Sequence, residues 1–287
     1  MWMSLINCKK IREEILDEVK NEVKGLLGTP KLVIISIGHD DASEIYVQNK
    51  IKTAKEVGID IDYVKLDDDI CQEEAEQVIE NICSRSINHA VMLQLPIPQH
   101  LDKDKLINVI PQHKDVDGLT NLNLGMLVNN HKDAIVPATA QGVYEILRRI
   151  HGDDLSWLNV TVVNRSQLIG KPLQALLTNH NATVTLCHSK SDYEFQDYFI
   201  DANIIVTGIG HANYFNSYEF YPGQTIIDCS MNRDEDGHLC GDVDTKDVID
   251  NLDVDITPVP GGVGILTTAV LMCNVVKCYK LRNKINR

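Results

Sequence analysis

The stretch Val160-Thr-Val-Val-Asn-Arg-Ser-Gln-Leu-Ile-Gly-Lys-Pro172 reads as a strand, a tight loop and the start of a helix. Its first four residues favour β structure, and an amphipathic helical pattern over 171–178 follows the loop directly. This order points backbone N–H groups at a phosphate resting on a helix N-terminus. The loop is not Gly-x-Gly-x-x-Gly, so its meaning comes from its surroundings. A helix is expected over 141–150 before it, and extended runs over 183–186, 203–206 and 225–228 after it, which makes a Rossmann-like series. Upstream, helices over 11–27 and 73–84 and a helix carrying Tyr46 and Lys50 alternate with strands over 31–38, 61–66 and 89–95. Strands such as Leu32-Val-Ile-Ile-Ser are continuously apolar, so a mostly parallel sheet covered on both faces is expected. A connecting stretch over 121–138 separates the two series, and 265–284 reads as one long final helix. The expected class is therefore α/β with two domains.

The 287 residues supply two cores, with 44% hydrophobic and 24% charged residues, ordinary for a globular protein. A net charge of −14 argues against nucleic acid or an anionic membrane as partner, since both need a basic face. The eight cysteines are scattered without a Cys-x-x-Cys pair, as expected of reduced thiols in a cytoplasmic protein. The N-terminus lacks a basic region followed by an apolar core, and no run reaches the roughly 20 apolar residues of a membrane span. Neither a signal peptide nor an anchor is expected. The ten histidines show no His-Glu-x-x-His spacing and no Gly-x-Ser-x-Gly elbow occurs, so neither a metal site nor a serine hydrolase is expected.

Four further motifs carry chemistry. Ala42-Ser-Glu-Ile-Tyr-Val-Gln-Asn-Lys50 puts Tyr46 and Lys50 on one helical face, with Ile45, Ile51 and Ala54 expected to pack the other flank. A ring and an amine presented together suit a flat, charged ligand, although such a pair is more often a solvated face. Val91-Met-Leu-Gln-Leu-Pro-Ile-Pro98 ends a strand in a glutamine and two prolines. Lys114-Asp-Val-Asp-Gly-Leu119 sets two carboxylates before a glycine, which alone would suggest only a turn. Thr257-Pro-Val-Pro-Gly-Gly-Val-Gly264 is too rich in turn formers for an ordinary loop.

Taken in this order, the motifs resemble the family of bifunctional methylenetetrahydrofolate dehydrogenases/methenyltetrahydrofolate cyclohydrolases of the FolD type, from about residue 11 to the last helix. The resemblance implies a folate-binding catalytic domain over 1–136, completed by the helix at 265–287, and a Rossmann-like NADP-binding domain over 137–264. It implies Lys50 as the central group of the hydrolytic step, held by Gln94, with Tyr46 stacked on the aminobenzoate ring and Asp117 accepting two hydrogen bonds from the pterin. Pro258, Gly261 and Gly262 would let backbone approach folate. Asn164, Arg165, Ser166, Gly170 and Ser189 fall at the cofactor, with Arg165, Ser166 and Ser189 where the 2′-phosphate of NADP is held. Tetrahydrofolate derivatives are the implied partners, and a homodimer formed through the cofactor domains is the implied assembly. The chain departs from the family pattern at Asn164, usually glycine, at Ala138 and Ala140, at Ile265-Leu266, and at Cys229-Ser-Met-Asn232. Two alternatives stand beside this reading: a dehydrogenase without the second activity, and a folate- or nucleotide-binding homologue whose catalysis has lapsed.

Overall fold

The computed structural model describes residues 4–191 and 194–285; the side chains of Ala42 and Ile285 lie outside that description, as does the Met1-Trp-Met segment read above for a leader. The first half runs β1 (Ser4–Leu5), α1 (Cys8–Lys24), β2 (Lys31–Ile37), α2 (Asp41–Val57), β3 (Asp60–Leu66), α3 (Gln72–Ser84), β4 (Ala90–Leu93), α4 (Lys103–Val109), a 3₁₀ turn (Gln112–Lys114) and α5 (Asn121–Val128). The second half adds α6 (Ala138–His151), β5 (Asn159–Val163), α7 (Gly170–Asn179), β6 (Thr183–Cys187), α8 (Phe195–Phe199), β7 (Ile204–Thr207), β8 (Thr225–Asp228), β9 (Asn232–Arg233), β10 (Leu239–Cys240), α9 (Thr245–Asn251), β11 (Asp255–Ile256) and α10 (Val263–Ile285). Two compact units result: Glu14–Ala138 with Thr268–Arg287, and Met1–Glu13 with Thr139–Thr267.

The first unit is built on a parallel sheet of order β3-β2-β4. Alternate strand residues Val33, Ile35, Ile37, Val91 and Leu93 face Ala75, Ile79 and Ile82 of α3 and Leu106 and Ile107 of α4. The intervening Leu32 and Ile34 are equally buried, so β2 is apolar on both faces, as its continuous hydrophobic run predicts. Each such side chain withdrawn from water contributes about 1.5–3 kcal/mol. The later part of α10 belongs here: Asn274 donates to the carbonyls of Val116 and Val136 at 3.0 and 2.9 Å, and Lys280 pairs with Glu22 of α1. Among the described residues α10 is the one helix long and apolar enough, by length and mean hydropathy, to cross a membrane. Most of that window is buried inside the protein, and an all-round apolar helix is what such burial requires.

The second unit holds six parallel strands in the order β1-β11-β8-β7-β5-β6. The order reverses between β5 and β7, which makes their carboxyl ends a topological switch point, the place where open α/β sheets receive ligands. Its core gathers Phe199, Phe215 and Phe220 beneath Val163, Ile205, Ile226 and Ile256. The N-terminal segment, grouped with the folate domain in the sequence reading, here puts Ser4–Leu5 beside Asp255–Ile256 at the sheet's edge.

Candidate active site

In the first unit, α2 is fixed at both ends. Asp40 caps it by accepting from Ser43 N at 2.7 Å, and Gly58 closes it at φ 82°, a left-handed conformation that glycine adopts without penalty. Its buried stripe is Val47, Ala54 and Val57, while Ile45 is exposed, contrary to the expected packing of Ile45. Glu44 takes up that flank instead. Its Oε2 accepts from Tyr63 Oη at 3.0 Å and Lys65 Nζ at 2.8 Å, and Ser36 Oγ donates to the same phenol at 3.1 Å. This polar brace ties α2 to β2 and β3 and had no signature in the sequence beyond the residue types.

The brace leaves Tyr46 half exposed and turns Lys50 inward, where its Nζ donates to Gln94 Oε1 at 2.7 Å. Gln94 follows β4, is buried, and is held at both ends: its backbone N–H donates to Ile35 O at 2.7 Å and its Nε2 to Leu95 O at 2.7 Å. The amide oxygen therefore has to face the amine. Burial pushes the Lys50 ammonium below the usual lysine range, and the Asp117 charge pulls it partly back.

The two carboxylates of Asp115-Val-Asp117 divide their work. Asp115 is buried and saturated, accepting from Leu119 N at 3.3 Å, Thr120 N at 2.8 Å and Asn123 Nδ2 at 2.8 Å. It is the turn former, and Gly118 completes the turn at φ 68°, where a Cβ would collide with Ile135 O. Among the described residues the Asp117 carboxylate accepts no hydrogen bond. Burial raises it to about 6, with Lys50 acting downward and Asp115 upward. An open carboxylate, an amine of lowered pKa and a ring on the same short stretch of structure can bind a flat N–H donor and move a proton beside it.

In the second unit, Arg165, His188, Ser189, Gly208, Ile209 and Tyr214, with Asn164 and the exposed Glu194, are among the residues lining a cavity of about 580 Å³ at the carboxyl end of the sheet. This is the size of a site that holds much of a small ligand. Ser166 and Gly170 shape the loop but do not line the cavity: Ser166 Oγ accepts from Ile169 N at 3.1 Å, and a Cβ at Gly170 would strike Asn164 O. Asn164 does not have the positive φ considered for a glycine substitute; its side chain bonds to the loop. Gly208 opposite lacks a side chain, leaving a cradle that a Cβ would fill against Asn164 at 3.1 Å. At the end of β7, Thr207 Oγ1 is the one buried side-chain polar atom among the described residues without a partner. An arginine fork and a serine hydroxyl around a cradle of this kind fit a phosphorylated dinucleotide.

Asp242 is the residue that sequence reasoning missed here. It accepts from the backbone N–H groups of Ile209, Gly210 and His211 at 2.6, 3.0 and 2.9 Å, and from Ser230 Oγ and Asn232 Nδ2 at 2.6 and 3.0 Å. Five donors on one buried carboxylate fix the loop that forms one wall of the cavity. The preceding Gly241 has no room for a Cβ beside Asp228, and that pair was the available signal. The Pro258–Gly262 turn is likewise tight: Gly261 lies at φ 103°, a Cβ at Gly262 would meet Pro258 O, and Thr257 Oγ1 accepts from Asp228 N at 2.8 Å. Its glycines are required by the turn itself, whatever else approaches it.

Comparison with known proteins gives one consistent picture. The domain described as tetrahydrofolate dehydrogenase/cyclohydrolase, catalytic domain, matches residues 6–117, and that described as tetrahydrofolate dehydrogenase/cyclohydrolase, NAD(P)-binding domain, matches residues 137–283. The bifunctional protein FolD of Listeria innocua is 36% identical over 285 residues, covering 98% of this chain and 99% of the relative, and that of Bacillus subtilis is 38% identical over 283 residues with the same coverage. The crystal structure of the bifunctional FolD dehydrogenase/cyclohydrolase from Campylobacter jejuni superposes with a TM-score of 0.92 at 33% identity, covering 98% of this chain and 99% of that one. The Trypanosoma brucei enzyme, solved with NADP cofactor and inhibitor, gives 0.89 at 29% identity over the whole of both chains.

Proposed function

The chain belongs to the tetrahydrofolate dehydrogenase/cyclohydrolase family, and from that membership we propose that it oxidises 5,10-methylenetetrahydrofolate to the 5,10-methenyl compound with NADP and hydrolyses that product to 10-formyltetrahydrofolate. The observation that carries both activities is the Lys50–Gln94 pair at 2.7 Å beside an open Asp117, because oxidation alone calls for no partly desolvated amine. The same pair disfavours a dehydrogenase without the second activity and a lapsed homologue.

Asp117, ionised above about pH 6, accepts the two parallel N–H groups of the pterin, and Tyr46 stacks on the aminobenzoate ring. NADP, when bound through Arg165 and Ser189, supplies the nicotinamide carbon that takes the hydride. In that step the protein contributes orientation, since the nitrogen lone pairs flanking the methylene carbon stabilise the cation left behind. In the second step water adds to the methenyl carbon. Lys50, whose ammonium form burial disfavours, takes the proton from that water, and the carbon–N5 bond breaks as the new hydroxyl becomes the formyl carbonyl and its proton passes to N5. Gln94 holds the amine and orients the new oxygen.

The same reading carries a cytoplasmic location, supported by eight free cysteines, a homodimer formed through the cofactor domains, and a role as formyl donor to purine biosynthesis. The test is a steady-state assay with methylenetetrahydrofolate and NADP that follows reduced cofactor and formyl product separately. Both products are expected; methenyl compound accumulating without formyl product would reduce the protein to a dehydrogenase, and ligand binding without turnover would identify the lapsed homologue.

A further inference from the structure

We infer that Asn164 is a bar across the cofactor crevice, and that a dinucleotide gains full access to the α7 N-terminus only when this side chain swings away. The inference rests on the NADP reading above and adds a residue that sets its affinity. Asn164 follows β5 and Gly208 follows β7, the two strands that flank the switch point of the sheet. Its Nδ2 donates to Gly208 O at 2.5 Å, so the amide spans the gap between the two strand ends. Its Oδ1 accepts from Ser166 N at 2.7 Å and from Gly170 N at 3.0 Å. Gly170 begins α7, a helix of 10 residues, and its N–H is among those not satisfied by the helix itself.

These are the amides that a phosphate at this place would use. With Oδ1 on them they are already satisfied, and a phosphate arriving unaided would meet a carbonyl oxygen. The bar is removable. Asn164 has an ordinary negative-φ backbone, so rotation about its side-chain torsions frees both N–H groups without refolding the loop. Rotation exchanges the two amide bonds for charge-assisted bonds to phosphate but leaves the bond to Gly208 O unmade. One hydrogen bond of ordinary net worth corresponds to about a tenfold loss of affinity. Asn164 therefore weakens the cofactor's hold at the pyrophosphate, while Arg165 and Ser189, which line the cavity where the adenosine 2′-phosphate is expected, are untouched; Ser166, expected beside them, instead turns its hydroxyl to Ile169 N and offers its backbone N–H.

The experiment is calorimetric titration of the whole protein and of Asn164→Gly and Asn164→Ala with two ligands, NADP and adenosine 2′-phosphate, which lacks the 5′-phosphates. The alanine variant guards against loosening of the loop by glycine, and a thermal melt of each protein verifies folding. Both variants are expected to bind NADP about tenfold more tightly, with adenosine 2′-phosphate unchanged. Unchanged or weakened NADP binding in both folded variants would overturn the bar and make Asn164 a brace the cofactor relies on. Equal tightening of both ligands would overturn it too, since the effect would not be at the pyrophosphate. Failure of all three folded proteins to bind NADP would overturn the cofactor reading itself.

Discussion

On the proposed reading, replacing Asp117 by asparagine is expected to separate the binding of the pterin from the chemistry that follows. The carboxylate is half-buried, accepts no hydrogen bond among the described residues and is raised to about 6. Above that pH it is an anion with two acceptor oxygens; below it, one oxygen carries a proton and faces the pterin donors with a donor. The apparent dissociation constant then scales as one plus the ratio of protonated to ionised carboxyl, so it is about elevenfold higher at pH 5 than at pH 8, about 1.4 kcal/mol lost over that interval. In Asp117→Asn one acceptor becomes an amide N–H, which removes one charge-assisted bond and opposes two donors. The combined penalty is about 2–3 kcal/mol, roughly a hundredfold at pH 8. Fluorescence titration with 5-formyltetrahydrofolate suits the assay, because its N5 is blocked and its tail carboxylates titrate below the window. The wild type is expected to lose affinity from pH 7 to 5, and the variant to bind weakly and evenly across that range. A flat wild-type curve, or a variant that keeps the slope, would refute the assignment of the pH dependence to Asp117.

Arg165→Ala is expected to weaken NADP by about 2 kcal/mol and NAD by much less, since only NADP offers a phosphate to the guanidinium fork; equal weakening in a binding titration would remove that assignment. Trp157 sits at φ 69° and is fully exposed, so Trp157→Gly relieves a left-handed conformation without loss of packing and should raise stability by about 1 kcal/mol, read as a higher Tm; an unchanged or lower Tm would contradict it. Burial raises Asp228 from 3.8 to about 7, so between those values the native state holds a proton that the unfolded state has released. Stability from this group therefore falls as pH rises from about 4 to 7, and Asp228→Asn should flatten the decline of Tm over that interval; an identical decline in both proteins would place its source elsewhere.

The sequence was most legible where a pattern and a chemical need coincide. Leu32 to Ile35 is apolar on both faces because both faces are buried, and Tyr46 and Lys50 share a helical face because four residues make about one turn. Contacts between distant positions were not legible. Nothing local distinguishes Asp115 from Asp117; the difference is that Asn123, eight residues on, donates to Asp115. The same Asn123 explains why 121–138 read as a connection although α5 occupies Asn121–Val128: its asparagines and Gly125 look like loop formers, yet Thr120 caps the helix and Asn123 is an internal ligand of the neighbouring turn. Ser4–Leu5 is too short to show a period, and its strand pairing is set by residues near the other end of the chain. At Asn164 the residue type was visible as a departure, but which three groups its amide would join depends on Gly208, far along the sequence.

The central claim is that one folate site supports two reactions and that Lys50 serves only the second. The direct measurement is the rate of each half-reaction in Lys50→Met, with methylenetetrahydrofolate and NADP for the first and added methenyl compound for the second. The account predicts measurable dehydrogenase activity and no cyclohydrolase activity in a folded variant. Loss of both activities with folate binding intact, or survival of the hydrolysis, would contradict it.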